Sequence, residues 1–552
     1  MTKRTSFIAS ATLLLLTASL SSHAEDAGSS DLAVLRNTVV NLLDAMVKQG
    51  LISKESAAQL VADAQSKATA EAAAGAAAPG DVRVTYVPQV VRDEITAQVR
   101  EELQASVVAD VKKSAAEEGW GVPAALPSWV RNSRWSGDIR VRGEYTNYAD
   151  GNAPYYDWQS VNDAGGIGPA GADALLNTSE DQTRYQLKLS FGAQFDLAET
   201  ALATMRFSTG NEENPVTRNQ ALGSYDRTYP LLLEEAYLRL GTSAQRENHQ
   251  FMVWAGRTPN PYQSTELVWD SDFRFNGFTL QYAENNRLYA GASQRARGFF
   301  VNGGAYPVQE VELSGNDKWL LAGQLGYEFN VTPEFKLSAA AGYFDYQNIT
   351  GRLNQPDSTL LDYTAPEYLQ KGNTLFDIRN DTDPDTELAA LAADFNLLDV
   401  SVMASWVLQP DLVLDVSANY VSNVGYDQDE VIARAGCRPI TNPVPGGPLE
   451  VCPGSSADAY RLDFRLGNPD IAQAWAWRAF FAYHYAEADA VLDAFTDSDF
   501  HRGGTDAEGY TLGGELGITK NTWLRLRYMT ADEIDGAPLG IDVLQLDLNA
   551  KF

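Results

Sequence analysis

Tyr185-Gln186-Leu187-Lys188-Leu189-Ser190-Phe191-Gly192-Ala193-Gln194-Phe195-Asp196-Leu197 places an apolar residue at every odd position and a polar or small one at every even position. Successive side chains of an extended chain point to opposite faces, so this period predicts a strand with one greasy and one wet face. The pattern returns at Ala203, Met205, Phe207; at Phe278, Leu280, Tyr282; at Leu412, Leu414, Val416, Ala418, Tyr420; at Tyr460, Leu462, Phe464, Leu466; and at Leu544, Leu546, Leu548, Ala550, Phe552. The repetition, more than any one strand, predicts a mostly β fold.

A soluble sandwich can also alternate, so the connections decide. Residues 197–200, 330–334, 409–411, 467–471 and 519–522 make short turns, whereas 150–181, 210–230, 347–384, 422–457 and 488–507 are long. Short connections at one end and long ones at the other are the pattern of a transmembrane antiparallel β-barrel, and the segments add up to about 16 strands, with 18 as the alternative count. Residues 135–552 form this barrel, with Leu388 to Val407 read as one strand with an irregular start. Aromatics near strand ends, among them Tyr145, Tyr237, Trp254 and Trp406, are expected to form the interfacial girdles.

The charge balance narrows the partners. The chain has 552 residues, with 42 Lys+Arg against 73 Asp+Glu and a net charge of -31. That acidity lacks the basic footprint of nucleic-acid binding, so no nucleic acid is expected. After the first 24 residues no run of ~18 apolar residues could cross a bilayer as a helix. Lys3 and Arg4, the apolar run from Phe7 to Leu20 and the small residues around Ser22-His23-Ala24 predict a cleaved signal peptide over 1–24.

Residues 25–118 are helical in style. Leu35, Val39, Leu42, Leu43 and Met46 share one helix face, and Val91, Ile95, Val99, Leu103, Val107 and Val111 follow at four-residue steps. Such a winding stripe predicts either a self-associating coiled coil or a helix packed on its own neighbours, in the periplasm. A linker over 119–134, with Pro123 and Pro127, separates this segment from the barrel.

If the apolar parity faces lipid, the other parity lines the pore: Arg140, Arg142, Glu144, Lys188, Arg206, Glu235, Arg239, Arg461, Asp463, Arg465, Arg478, Glu515, Arg525 and Arg527. This wall is rich in Arg although the protein is acidic, so the surplus carboxylates belong to the loops. An acidic loop folded against an Arg-rich wall would set up a transverse field favouring small polar solutes and ions. By length, loops 347–384 and 150–181 are the candidates for that constriction.

Other chemistry is thin. Cys437 and Cys452 lie in a Pro- and Gly-rich stretch and are expected to pair as a disulfide in an oxidising compartment, two free thiols being the alternative. No cofactor is expected. Asp493, Asp497 and Asp499 could offer oxygen ligands to Ca or Mg, although they lack the Gly and terminal Glu of an EF-hand loop. No Gly-x-Ser-x-Gly elbow exists, and the chain is not expected to be an enzyme.

The ending Leu544, Leu546, Leu548 and Phe552 looks like the C-terminal signal that the barrel assembly machinery reads on its clients. Together with the helix-Gly-helix opening around Leu42 to Ala64 and the stretch Asp493-Ala494-Phe495-Thr496-Asp497-Ser498-Asp499-Phe500, it resembles the putative porin family of Gram-negative outer-membrane proteins. The resemblance implies a cell outer membrane protein, an exported chain with periplasmic helices and a diffusion barrel. Partners expected with it are membrane lipid, lipopolysaccharide and further copies of the chain, such as a trimer. A closed barrel acting as an anchor or adhesin is the alternative.

Overall fold

The computed structural model describes residues 133–552 apart from 242–248, 285–297, 313, 384, 438–453 and 455. The signal peptide, the helical segment, nearly all of the linker and Cys452 lie outside the described residues. Two of the expected long connections, 422–457 and 347–384, are described in part.

The wall is built from Arg134–Tyr148, Gln182–Ala198, Ala201–Ser208, Leu232–Gly241, His249–Thr258, Phe275–Glu284, Gly298–Gln309 and Lys318–Asn330, then Phe335–Gln347, Asn396–Gln409, Leu412–Asn423, Asp458–Gly467, Trp477–Ala486, Ala507–Thr519, Thr522–Glu533 and Gly540–Lys551. These sixteen strands are antiparallel to their neighbours, and the first also pairs with the last, from Asp138↔Lys551 to Tyr148↔Ile541. The sheet is therefore a closed barrel with no free edge, which is what a spanning sheet needs where no water can satisfy an open one. The two-residue strand Gln220–Ala221 rests on Gln186 and Leu187 and adds nothing to the wall. No described helix is long and apolar enough to cross a membrane.

The terminal Phe552 completes the seam. Its N–H donates to Gly137 O and its carbonyl accepts from Gly137 N–H, both at 2.9 Å. A Cβ at Gly137 would meet the Phe552 ring and, at 2.9 Å, the Ser190 carbonyl oxygen, so a larger residue here forces the seam to shift.

Exposure follows the alternation. Leu544, Leu546 and Leu548 are 42%, 52% and 45% exposed, while the intervening Gln545 and Asp547 are 1% and 2% exposed. A soluble barrel would reverse this order; an apolar outer band belongs in lipid. Leu546→Arg is therefore expected to destabilise the folded barrel by ~2–4 kcal/mol if its site is near mid-membrane. Denaturant unfolding in lipid vesicles checks this, and an unchanged midpoint would contradict the outward assignment.

The interior differs from the expected all-polar channel. Towards the long-loop end, inward wall positions become apolar, as with Met529, Ala531, Ile541 and Val543, and they pack with Tyr155 and Phe500 from the loops. A larger cluster joins Trp269, Phe275, Phe344, Tyr346, Leu391 and Phe495. Residues 388–395 do not continue a wall strand. Ala389–Leu391 pairs with Leu375–Asp377 as a separate small hairpin, and the wall resumes at Asn396. Its apolar residues meet other loops rather than lipid, which is why they read as a strand start.

Two expected girdle residues also turn inward. Tyr237 and Trp254 stack at 5.3 Å with an interplanar angle of 9°, on the parity opposite to the exposed Leu238 and Leu240. Tyr145 and Trp406 do face outward.

Candidate pore constriction

Cross-strand pairing first assembles a charged ladder on the inner wall. Asp547 stands opposite Arg142 on one side and Arg525 on the other, and Gln545 stands opposite Glu144 and Arg527. Inward-facing neighbours in adjacent strands are close enough to pair directly. Arg142 Nε donates to Asp547 at 2.7 Å, and Arg527 Nε to Gln545 Oε1 at 2.8 Å. Further round, Arg478 bridges to Glu515 at 2.5 Å and Arg461 to Asp463 at 3.0 Å.

Two loops then bring carboxylates to this wall. The loop 487–506 descends until Asp499 receives Arg142 Nη1 at 2.9 Å, Gln545 Nε2 at 3.1 Å and the Arg527 guanidinium. Its Arg502 reaches Glu144 at 2.8 Å. The loop 259–274 places Glu266 at 3.3 Å from Arg461 and Asp272 at 2.5 Å from Lys188. Its polar tethers include Gln263 N–H to Gln324 Oε1 at 2.8 Å and Thr265 Oγ1 to Asn419 Oδ1 at 2.7 Å. Among the described residues these two loops face the Arg ladder. The connection 150–181 does not do so, and 347–384 contributes instead to the apolar cluster above it.

All fourteen pore-lining residues read from the parity occupy inward positions. Arg140 meets Asn219, and Arg206 bonds Glu234 at 3.0 Å together with Asp138. Arg239 lies 6.0 Å from the Trp254 ring, and Arg465 borders a cavity of about 780 Å3 beside the ladder, with Arg461, Arg478 and Arg525. The parity reading missed Glu234. A bulge opposite Arg206 and Phe207 lets both Glu234 and Glu235 turn inward, where Arg274 binds them at 2.6 and 2.9 Å. Paired glutamates inside an otherwise regular alternation are the signal that could have revealed it.

The loop charges behave according to their partners. Burial opposes ionisation of Asp499, yet the guanidiniums of Arg142, Arg527 and Arg140 hold it well below the ordinary carboxylate range. Burial opposes Asp272 as well, while Lys188 and Arg140 bring it to about 2. Asp493 is different: burial pushes it up to about 7. Asp493, Asp497 and Asp499, considered above for Ca or Mg, are not gathered into one cluster. Asp499 binds arginines, Asp497 accepts the Asp499 N–H at 2.9 Å, and Asp493 is buried in the loop core. No cluster of three His, Cys, Asp or Glu ligands occurs among the described residues. Cys437 is disulfide-bonded, and the only other cysteine in the sequence is Cys452.

The upper loops lock together through buried polar groups. Lys371 Nζ lies 2.7 Å from His501 Nδ1 and donates to Gly503 O at 2.9 Å, and His501 Nε2 lies 2.9 Å from Leu539 O, an arrangement suited to a neutral ring protonated on Nε2. Asp489 accepts from Thr374 N–H at 2.9 Å and Thr374 Oγ1 at 2.6 Å, and burial raises it to about 6. A raised folded-state value means its contribution is complete below the unfolded value of ~3.9 and is lost as pH rises through 6. The Thr374 amide is thus expected to exchange faster with solvent at pH 8 than at pH 5, after correction for intrinsic exchange. Asp489→Asn should flatten that dependence, and an equally steep profile in the variant would assign it to neighbouring groups.

Residues 36–552 match the family described as "Putative porin". No curated protein matches the chain. Among solved structures it is similar to OmpF of Salmonella typhi in complex with daunomycin, at 11% identity over 76% of this chain and 97% of that one, with a TM-score of 0.40. The outer membrane channel DcaP of Acinetobacter baumannii gives 11% identity, the same 76% coverage of this chain, 97% of that one and a TM-score of 0.37. OprB of Pseudomonas putida gives 12%, 76%, 94% and 0.39. With a match over nearly the whole chain and a closed barrel of sixteen strands, the chain belongs to the putative porin family and is an outer-membrane porin.

Proposed function

We propose that the barrel passes small polar solutes and ions by diffusion, through a constriction where an Arg-rich wall faces the carboxylates of two inward loops. The observation that carries this reading is the placement of Asp499 against Arg142 and Arg527, with Glu266 against Arg461. Opposed fixed charges orient water and polar solutes across the narrowest point, while an apolar solute gains nothing there in exchange for its hydration. Because cations and anions alternate around this ring, weak ion selectivity is expected.

The remaining roles follow as parts of the same proposal. Residues 1–24 direct export and are removed, and residues 25–118 stand in the periplasm as a helical, self-associating segment. Cys437 and Cys452 close a disulfide loop. The barrel assembles as a homo-oligomer such as a trimer, surrounded by outer-membrane lipid and lipopolysaccharide, after the assembly machinery has read the strand ending in Phe552. It works without a cofactor and catalyses no reaction.

Conductance and reversal potential of the purified protein in planar bilayers under a salt gradient test the central claim. Open steps with a small reversal potential are expected. A record without steps would favour a closed anchor, and strong cation selectivity would contradict the arrangement of the ring.

A further inference from the structure

A second cavity, of about 730 Å3, lies towards the long-loop end, away from the Arg ladder. Its apolar side is made by Phe273, Phe275, Tyr306 and Phe495. Phe273 and Phe495 are 4.4 Å apart, and Phe275 and Tyr306 are 4.8 Å apart, so the rings form a continuous surface. Its volume falls in the range of sites for single small organic molecules.

Of the four cations that line this cavity, Arg274 pairs with Glu234 and Glu235, and the other three lack such a carboxylate partner. Lys318 is 2% exposed, and its Nζ donates to one protein group, the Ala365 carbonyl at 2.7 Å. Arg218 is 3% exposed, and its guanidinium reaches main-chain carbonyls of Asn214, Pro215, Thr217 and Asp272. Its buried Nε has no protein partner. Arg257 donates to Glu234 O and Asn276 Oδ1. Among the described residues none of these three makes a salt bridge, whereas Arg142, Arg461 and Arg527 all do. Asp272 is close to Arg218, but its carboxylate is committed to Lys188 Nζ and to the Arg218 main-chain N–H.

Acidic residues do border the cavity, at its exposed rim: Asp163, Glu212, Glu213 and Glu367. Charges in water are screened and weak, while buried ones are not. A buried ammonium or guanidinium without an anion is costly, and that cost is relieved when a ligand supplies one.

We propose that this cavity is a solute-binding site for an organic anion with a flat apolar body, such as an aromatic monocarboxylate. The carboxylate enters between Lys318 and Arg218, and the ring lies on the aromatic surface. The proposal rests on the channel reading above, for which it names a class of solute held before the constriction.

Calorimetric titration of the full chain folded in detergent, with benzoate, acetate and benzylamine as probes, tests it beside bilayer recordings of the same preparation. Benzoate should bind saturably, acetate much more weakly for want of a ring, and benzylamine not at all. Lys318→Met should weaken benzoate roughly tenfold, the scale of one lost charge-assisted contact. Arg218→Gln should do the same, and it serves alone should the first variant not fold. Benzoate binding no better than acetate, equal binding of benzylamine, or unchanged affinity in the folded variants would overturn the site. Normal channel steps alongside such a result would leave the porin reading intact, whereas saturable benzoate binding without any steps would support the site and overturn diffusion through the pore.

Discussion

Asp499→Asn is expected to widen the channel and to move its reversal potential towards anions. Asp499 is the shared counterion of two guanidiniums that are almost wholly buried, Arg142 at 1% and Arg527 at 5% exposure. Removing one partner of a buried ion pair typically costs ~3–5 kcal/mol, since the other charge stays without compensation. The wall can bear that loss: Arg142 keeps Asp547 and Arg527 keeps Gln545, and the strand ladder is untouched. The loop cannot, because Asp499 and Arg502, which reaches Glu144, are the attachments of its tip to the charged wall. The expected outcome is a detached loop tip, higher unit conductance and a surplus positive charge on the Arg142, Asp547 and Arg527 group facing the solute. Arg502→Gln supplies the opposite electrostatic sign, since it leaves Glu144 without its cation. If both variants shift the reversal potential in the same direction, loop release alone is operating and the charge argument fails.

The sequence carried the lipid face well and the constriction poorly, for a physical reason. Lipid accepts only apolar side chains, so Leu544, Leu546 and Leu548 had to alternate with something polar, and their parity assigned Arg142, Arg525 and Arg527 correctly to the interior. A loop obeys no such period. Asp499 and Asp383 are both aspartates in acidic stretches, yet one is bound by two wall arginines and the other is exposed. Length was a poor guide as well: loop 259–274 reaches the ladder despite being shorter than 347–384. The stretch Trp269-Asp270-Ser271-Asp272-Phe273 does hold a clue, because large aromatics between acids are out of place in a solvated loop and suggest insertion. Bulges set a second limit. Glu234 and Glu235 read as one residue inside and one outside until the register slips opposite Arg206 and Phe207.

Trp269→Ala tests whether those aromatics hold the aperture. The Trp269 ring is 2% exposed, with Phe275 at 4.9 Å, Phe273 and Phe344 at 5.4 Å and Phe495 at 6.1 Å. Phe275 and Phe344 belong to wall strands, and Phe495 belongs to the other inward loop, so a single side chain joins wall, loop and loop. Emptying such a site costs ~3–5 kcal/mol. The first half of loop 259–274 keeps its tethers from Gln263 and Thr265, but Asp270 and Asp272 lose the support that holds them toward Ser498 and Lys188. Larger, noisier conductance steps are expected, with the barrel's own unfolding midpoint little changed, because the strand ladder does not depend on Trp269. Trp269→Phe retains most of the ring contact and should lie between the two. The comparison with Asp499→Asn then separates two kinds of support: salt screens the surplus positive charge that Asp499→Asn leaves facing the pore water, and it leaves the packing of a ring unchanged. High ionic strength should therefore narrow the difference between wild type and Asp499→Asn while leaving that between wild type and Trp269→Ala in place. Equal salt sensitivity in both would mean that the rings merely accompany the ion pairs and do not fix the loop themselves.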